Sequence, residues 1–109
     1  MTPEAKVKRK VTAILKDANV YHFYAMMGGY GSSGVPDIIG CYNGKFFAIE
    51  CKAGKNRPTD LQERHMEKIR DSGGVAIVVN EENLNTVQEL LEQLKGRSEE
   101  HTSELQSHL

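Results

Sequence analysis

Asp37, Glu50 and Lys52 are the residues of this chain whose types and spacing could carry chemistry. Between the two acids stands Asn43-Gly44, flanked by apolar runs. That dipeptide suits a two-residue hairpin loop, because a type I′ turn needs positive φ at both central residues. Tyr42 then pairs with Lys45, and counting back along the ladder sets Asp37 opposite Glu50. Opposite side chains on an antiparallel pair share a face, with Cβ atoms about 4.5–5.5 Å apart. Lys52, two positions past Glu50, projects to the same side. Two carboxylates held so close repel unless a cation sits between them. Carboxylate and carbonyl oxygens are hard ligands that suit Mg2+ or Mn2+. The expectation is a divalent-metal site with an ammonium beside it. It depends on register, since a bulge near Pro36 would turn Asp37 away.

The hairpin strands, 37–42 and 45–52, are apolar on both faces. Ile39, Cys41, Phe46 and Ala48 lie on one side, and Ile38, Tyr42, Phe47 and Ile49 on the other. Such strands are central and covered on both sides. Upstream, Thr2-Pro3-Glu4 starts a helix: Thr as N-cap, Pro at the first position, an acid where the macrodipole favours it. Val7, Val11, Ile14, Leu15 and Ala18 form its buried stripe. Glu4 falls on that stripe, where it serves either the helix end or the metal. Lys6, Lys8, Arg9, Lys10 and Lys16 lie mostly off it, as a solvated face or as phosphate contacts. Val20 to Met26 reads as a short strand, and His22 within it as a packed or edge residue. The glycine-rich stretch from Gly28 to Gly34 is a loop without the Lys-Ser/Thr ending of a P-loop. Close approach to a ligand or a neighbouring strand explains its glycines better.

After the hairpin, Lys55-Asn56-Arg57-Pro58 is a basic loop. Thr59 and Gln62 then form a capping box for a helix running to about Ser72, with Leu61, His65 and Ile69 as its apolar stripe. Gly73-Gly74 ends that helix in a left-handed cap. Val75–Val79 is a buried strand, and a crossover of this length sets it parallel to 45–52. Leu84, Val87, Leu90, Leu91 and Leu94 make a last amphipathic helix, capped by Asn83 and stopped at Gly96.

With 109 residues and 39 % apolar side chains, the chain fits one small globular domain. No apolar run reaches membrane-spanning length and no signal-peptide pattern opens the chain, so no membrane and a cytoplasmic setting are expected. Cys41 and Cys51 point to opposite faces of the hairpin and read as buried, inert thiols. Residues 1–70 hold 12 Lys/Arg against 7 Asp/Glu, whereas residues 71–109 hold 2 against 8. The basic part is the part with the hairpin, which points to a polyanionic partner. From Arg97 the chain turns polar and loses its period, and Arg97–His108 reads as the translation of a common sequencing adapter. The expected domain is therefore residues 1–96, followed by a non-native tail over 97–109.

Asp37 with Glu50-Cys51-Lys52 resembles the Asp…Glu-x-Lys signature of the PD-(D/E)XK nuclease superfamily. Gly28-Gly29-Tyr30-Gly31, Gly34-Val35-Pro36-Asp37 and Pro58-Thr59-x-x-Gln62 further resemble the virus-type replication-repair nuclease (VRR-NUC) family, in its phage-type standalone form. The resemblance implies an α/β, restriction-endonuclease-like α-β-β-β-α-β core with a mixed sheet flanked by helices. It also implies metal-dependent hydrolysis of DNA phosphodiesters, and some small members are homodimers that resolve four-way junctions. Asp37, Glu50 and the Cys51 backbone carbonyl would then hold Mg2+ or Mn2+, with Glu4 a further ligand through water. Lys52 would orient or deprotonate the attacking water, or stabilise the transition state. Gln62 would reach toward Lys52 or the substrate besides capping its helix. Lys55 and Arg57 are candidate phosphate contacts, joined by Lys8 and by Tyr30 and Ser32 of the glycine loop. If phage-encoded, the enzyme would act in the cytoplasm of a host bacterium. A general or restriction-like endonuclease is the alternative enzyme, and a non-catalytic DNA-binding module the alternative outside catalysis. Opposed carboxylates facing DNA phosphates argue against the last.

Overall fold

The computed structural model describes residues 1–25 and 34–96. The glycine loop, with Tyr30 and Ser32, and the tail from Arg97 lie outside the described residues. Seven elements follow in order: α1 (Pro3–Asp17), β1 (Tyr21–Tyr24), β2 (Ile38–Tyr42), β3 (Lys45–Cys51), α2 (Asp60–Asp71), β4 (Val75–Val79) and α3 (Asn85–Lys95). The strands form one sheet in the order β1-β2-β3-β4. The first three are antiparallel neighbours, and β4 runs parallel to β3 through the α2 crossover. This is the expected α-β-β-β-α-β order with a helix added.

Local sequence explains most boundaries. The Thr2 side chain accepts from the Ala5 N–H at 3.0 Å, capping α1 behind Pro3. Thr59 and Gln62 make both halves of the capping box on α2. At the other end of α2, Gly73 has φ +97°, with Gly73 N–H bonded to Arg70 O and Gly74 N–H to Ile69 O. That pair of bonds is the Schellman motif, which needs a residue at ease in the left-handed region. Asn43 and Gly44 both have positive φ, as the two-residue turn demands. Asn43 also donates from Nδ2 to Leu94 O and Lys95 O, tying the hairpin tip to the end of α3.

The main core lies between the sheet and the α1/α3 layer: Val7, Val11 and Leu15 meet Ile38, Phe47, Ile49, Val87 and Leu94. A smaller cluster of Ala48, Met66 and Ala76 packs under α2 on the other face. Three expectations change here. The buried residue of α2 is Met66, while Leu61 stays exposed, so the stripe is rotated from the Leu61–His65–Ile69 line. Alpha-helical spacing leaves that ambiguity of part of a turn, and the sheet resolves it. Asn83 does not cap α3: its Oδ1 accepts from Asn80 N–H and its Nδ2 donates to Val78 O, closing the turn after β4. Cys41 is exposed and only Cys51 is buried, because α2 leaves the Cys41–Phe46 end of the sheet uncovered.

Gly40 on β2 lies where the Phe47 ring folds over the strand, so a Cβ there would fall on that ring and on the Tyr21 carbonyl oxygen. Gly40→Ala is expected to lower unfolding free energy by about 1–3 kcal/mol through overpacking, read by denaturant titration with an unchanged m-value.

Candidate active site

The β2–β3 ladder keeps the register read from the turn, from Tyr42↔Lys45 to Ile38↔Ile49. Both strands stop short of the expected limits, at Ile38 and Cys51. Asp37 therefore sits one step beyond the regular ladder, and its side chain takes over where the backbone pairing stops. Asp37 Oδ2 accepts from the Cys51 N–H at 2.8 Å, while the Asp37 carbonyl accepts from Ala25 N–H. No bulge intervenes, and Asp37 faces the end of β3.

Glu50 is 1 % exposed and Lys52 9 %, so both belong to the interior. Lys52 Nζ lies 3.2 Å from Glu50 Oε2. The other oxygen, Glu50 Oε1, is buried with no hydrogen-bond partner. An unpaired buried carboxylate oxygen is costly unless a proton or a cation serves it. Glu4, in the first turn of α1, completes the group. Glu4, Asp37 and Glu50 each offer an oxygen, and these oxygens lie within 4.8 Å of one another. A single cation could bridge them, and the orphaned Glu50 oxygen is what such a cation would satisfy. The Cys51 carbonyl lies on the same side of its strand as its N–H, which bonds Asp37. Lys52 N–H donates to Val79 O on β4, and across a trans peptide the Cys51 carbonyl points the opposite way, toward Asp37.

The electrostatics follow from this crowding. Burial, then the charge of Asp37, raises the Glu50 carboxyl to about 7, against the pull of Lys52. Burial and the two acids likewise push the Cys51 thiol up to about 12, which leaves it protonated and inert. Lys8 Nζ lies 3.4 Å from Asp37 Oδ1. Partial burial would lower the Lys8 ammonium, but the Asp37 charge and hydrogen bond, helped by Glu4, outweigh it and raise it. Lys8 is thus joined to the acidic cluster through Asp37.

Gln62 spends its Oε1 on the Thr59 N–H, the cap it was expected to make, and no hydrogen bond among the described residues joins it to Lys52 or the acids. His22 turns Nδ1 to Val20 O at 2.8 Å on the edge strand, as a packed residue would. Lys55 and Arg57 are exposed on the loop that leaves β3. That loop has an anchor that sequence reasoning missed: both oxygens of Glu81 accept from the Gly54 N–H at 3.0 Å. No local pattern could have announced a bond between residues so far apart. Lys8 follows Glu4 by one helical turn, which puts the two on one face of α1, but its ion pair is with Asp37 across the fold and has no local signal either.

A family model described as archaeal Holliday junction resolvase (Hjc) matches residues 5–79. The chain belongs to that family. The match takes in Asp37, Glu50 and Lys52 and begins just after Glu4. A search of curated proteins returns no match. The Hjc family is of the PD-(D/E)XK nuclease type, and the observed helices and mixed sheet are those of its restriction-endonuclease-like fold. Membership implies a Holliday-junction-resolving endonuclease that binds junction DNA.

The raised Glu50 carboxyl makes stability depend on pH. Folded protein holds the Glu50 proton up to about 7, whereas the ordinary value is 4.5. Its contribution is therefore full below about 4.5 and is lost as pH rises through 7. In chelator, this one group should lower unfolding free energy by on the order of 1–3 kcal/mol across that window. Thermal or denaturant unfolding of wild type and Glu50→Gln checks this: the variant's absolute stability also carries the loss of the Lys52 ion pair, so the readout is its flatter pH profile across this window.

Proposed function

We propose that the chain is a divalent-metal-dependent, structure-selective endonuclease that cuts four-way DNA junctions as a homodimer. One observation carries the chemistry: three carboxylate oxygens from Glu4, Asp37 and Glu50 converge within 4.8 Å, beside a buried lysine, with one Glu50 oxygen unserved. Asp37, Glu50, the Cys51 carbonyl and Glu4 would hold Mg2+ or Mn2+. Such an ion lowers the pKa of a water and neutralises charge growing on the scissile phosphate. Lys52 keeps a fixed ammonium in the cluster, able to orient the attacking oxygen or to meet charge on the phosphate. Lys55 and Arg57, held out on the loop that Glu81 anchors, would grip backbone phosphates and so contribute affinity without sequence reading. Gln62 stiffens the start of α2 beneath that loop.

Symmetric nicking of a junction needs two centres, and the described residues contain one carboxylate cluster. A second copy supplies the other. An uncovered apolar row supports a place for it. Tyr21, Cys41 and Phe46 stand side by side across three strands, Phe23 packs edge-on to Tyr21, and all four are exposed. The glycine loop and Pro58-Thr59-x-x-Gln62 favour a VRR-NUC-like member within the superfamily, acting in phage recombination or repair in a host cytoplasm. No helix among the described residues is long and apolar enough to cross a membrane.

Cleavage of a four-way junction, a flap and a linear duplex, with and without Mg2+ or Mn2+, tests the reading. Junction cutting should require the ion and vanish in Asp37→Asn and Glu50→Gln, while Lys52→Ala should slow it about 10²–10³-fold. Persistent cleavage in either acid variant would sink the metal assignment. Equal cutting of all three substrates would remove junction selectivity and leave a general endonuclease. Phe46→Glu should sediment as a monomer and lose paired nicking, with Mn2+ binding retained.

A further inference from the structure

The acidic cluster meets two ammonium groups, and they differ in one respect that matters. Lys52 is 11 % exposed at its side chain and pinned on Glu50; Lys8 is 34 % exposed and rests on Asp37. Lys8 also borders a groove of about 370 Å3 lined by Thr2, Pro3, Glu4, Ala5, Ala53 and Asn56, so the groove adjoins the acidic cluster through Glu4. Asn56 sits between Lys55 and Arg57 on the basic loop, so the groove continues toward the proposed phosphate contacts. Asp37 Oδ2 is committed to the Cys51 N–H. Oδ1, the oxygen without that backbone bond, is the one that Lys8 holds. A divalent ion bound there would face the Lys8 ammonium at close range, and like charges at that separation repel. The lysine stem is flexible, has open space beside it, and lies on the side where DNA phosphates would arrive.

We propose that Lys8 is an exchangeable counterion: it neutralises Asp37 while no divalent ion is bound, then moves into the adjoining groove and takes a backbone phosphate. This rests on the metal-dependent reading above. The exchange ties DNA grip to metal loading, because the same ammonium cannot serve Asp37 and a phosphate together. It also offsets one acidic charge of the cluster while no ion is bound, as Lys52 offsets another.

Full-length wild type, Lys8→Met and Lys8→Arg distinguish the outcomes. Calorimetric titration with Mn2+, without DNA, should show Lys8→Met binding about two- to fivefold more tightly than wild type, the scale of one partly exposed ion pair, with Lys8→Arg close to wild type. Junction binding is then measured against salt, with Ca2+ in place of the catalytic ion and again in chelator. With Ca2+, Lys8→Met should reduce the slope of log K on log salt by about one; in chelator the slope should not change. An equal loss of slope in both conditions makes Lys8 a permanent phosphate contact and overturns the exchange. Unchanged slopes with unchanged Mn2+ affinity make it a structural ion pair, which also overturns it. Wild type that binds no Mn2+ overturns the metal reading and the exchange together, whereas Mn2+ binding that Lys8→Met leaves unimproved overturns the exchange alone.

Discussion

The bond from the Cys51 N–H to Asp37 Oδ2 is the constraint on which the site depends. Backbone pairing between β2 and β3 ends at Ile38 and Ile49, and beyond it the two strands would be free to splay. A carboxylate standing in for a carbonyl extends the ladder by one step and satisfies an N–H that would otherwise be buried without a partner. The same bond leaves Asp37 Oδ1 as the oxygen that meets Lys8. How the strands terminate and where the Asp37 carboxylate sits are therefore decided by one side chain.

Holding Asp37 there forces the electrostatic problem that the rest of the site answers. Glu50 is buried against the sheet, Glu4 is brought in by the first turn of α1, and the three acids cannot all be charged and close without compensation. Lys52 compensates from within, and Lys8 from the open side. The residual cost appears at Glu50, whose one oxygen has no partner and whose carboxyl is raised to about 7. Breaking a buried charge pair is usually worse than never having built one, so a cluster of this kind persists where it is used. The fold absorbs that cost through the large apolar layer under α1 and α3.

Scaffold and site separate along the sheet. At the turn end, Asn43 Nδ2 bonds the last carbonyls of α3 and locks the hairpin to the helical layer. At the opposite end the strands run out into Asp37, Cys51 and the anchored loop at Gly54. Rigid packing behind and a polar opening in front suit a centre that must hold oxygens within a few tenths of an ångström while admitting a large anionic substrate.

Much of this was legible in the chain itself, for a definable reason. Turn chemistry at Asn43-Gly44, the caps at Thr2, Thr59 and Gly73, and the two-residue alternation of the hairpin act over a few positions, so residue type alone determined the register and set Asp37 toward Glu50. Where the signal is less direct, it blurs: the spacing in α2 points part of a turn away from Met66, and Asn83 has the residue type of a cap although it closes a turn. Only the tertiary structure decided the rest. The Lys8–Asp37 pair, the exposure of Cys41 and the unserved Glu50 oxygen depend on how α1 and α2 lie on the sheet, and the Glu81 anchor on Gly54 depends on the parallel pairing of β3 with β4. Helix placement is set by packing between distant segments, which no short stretch of sequence encodes. The sequence by itself determined which residues face each other across the turn; the fold decided which charges they meet there.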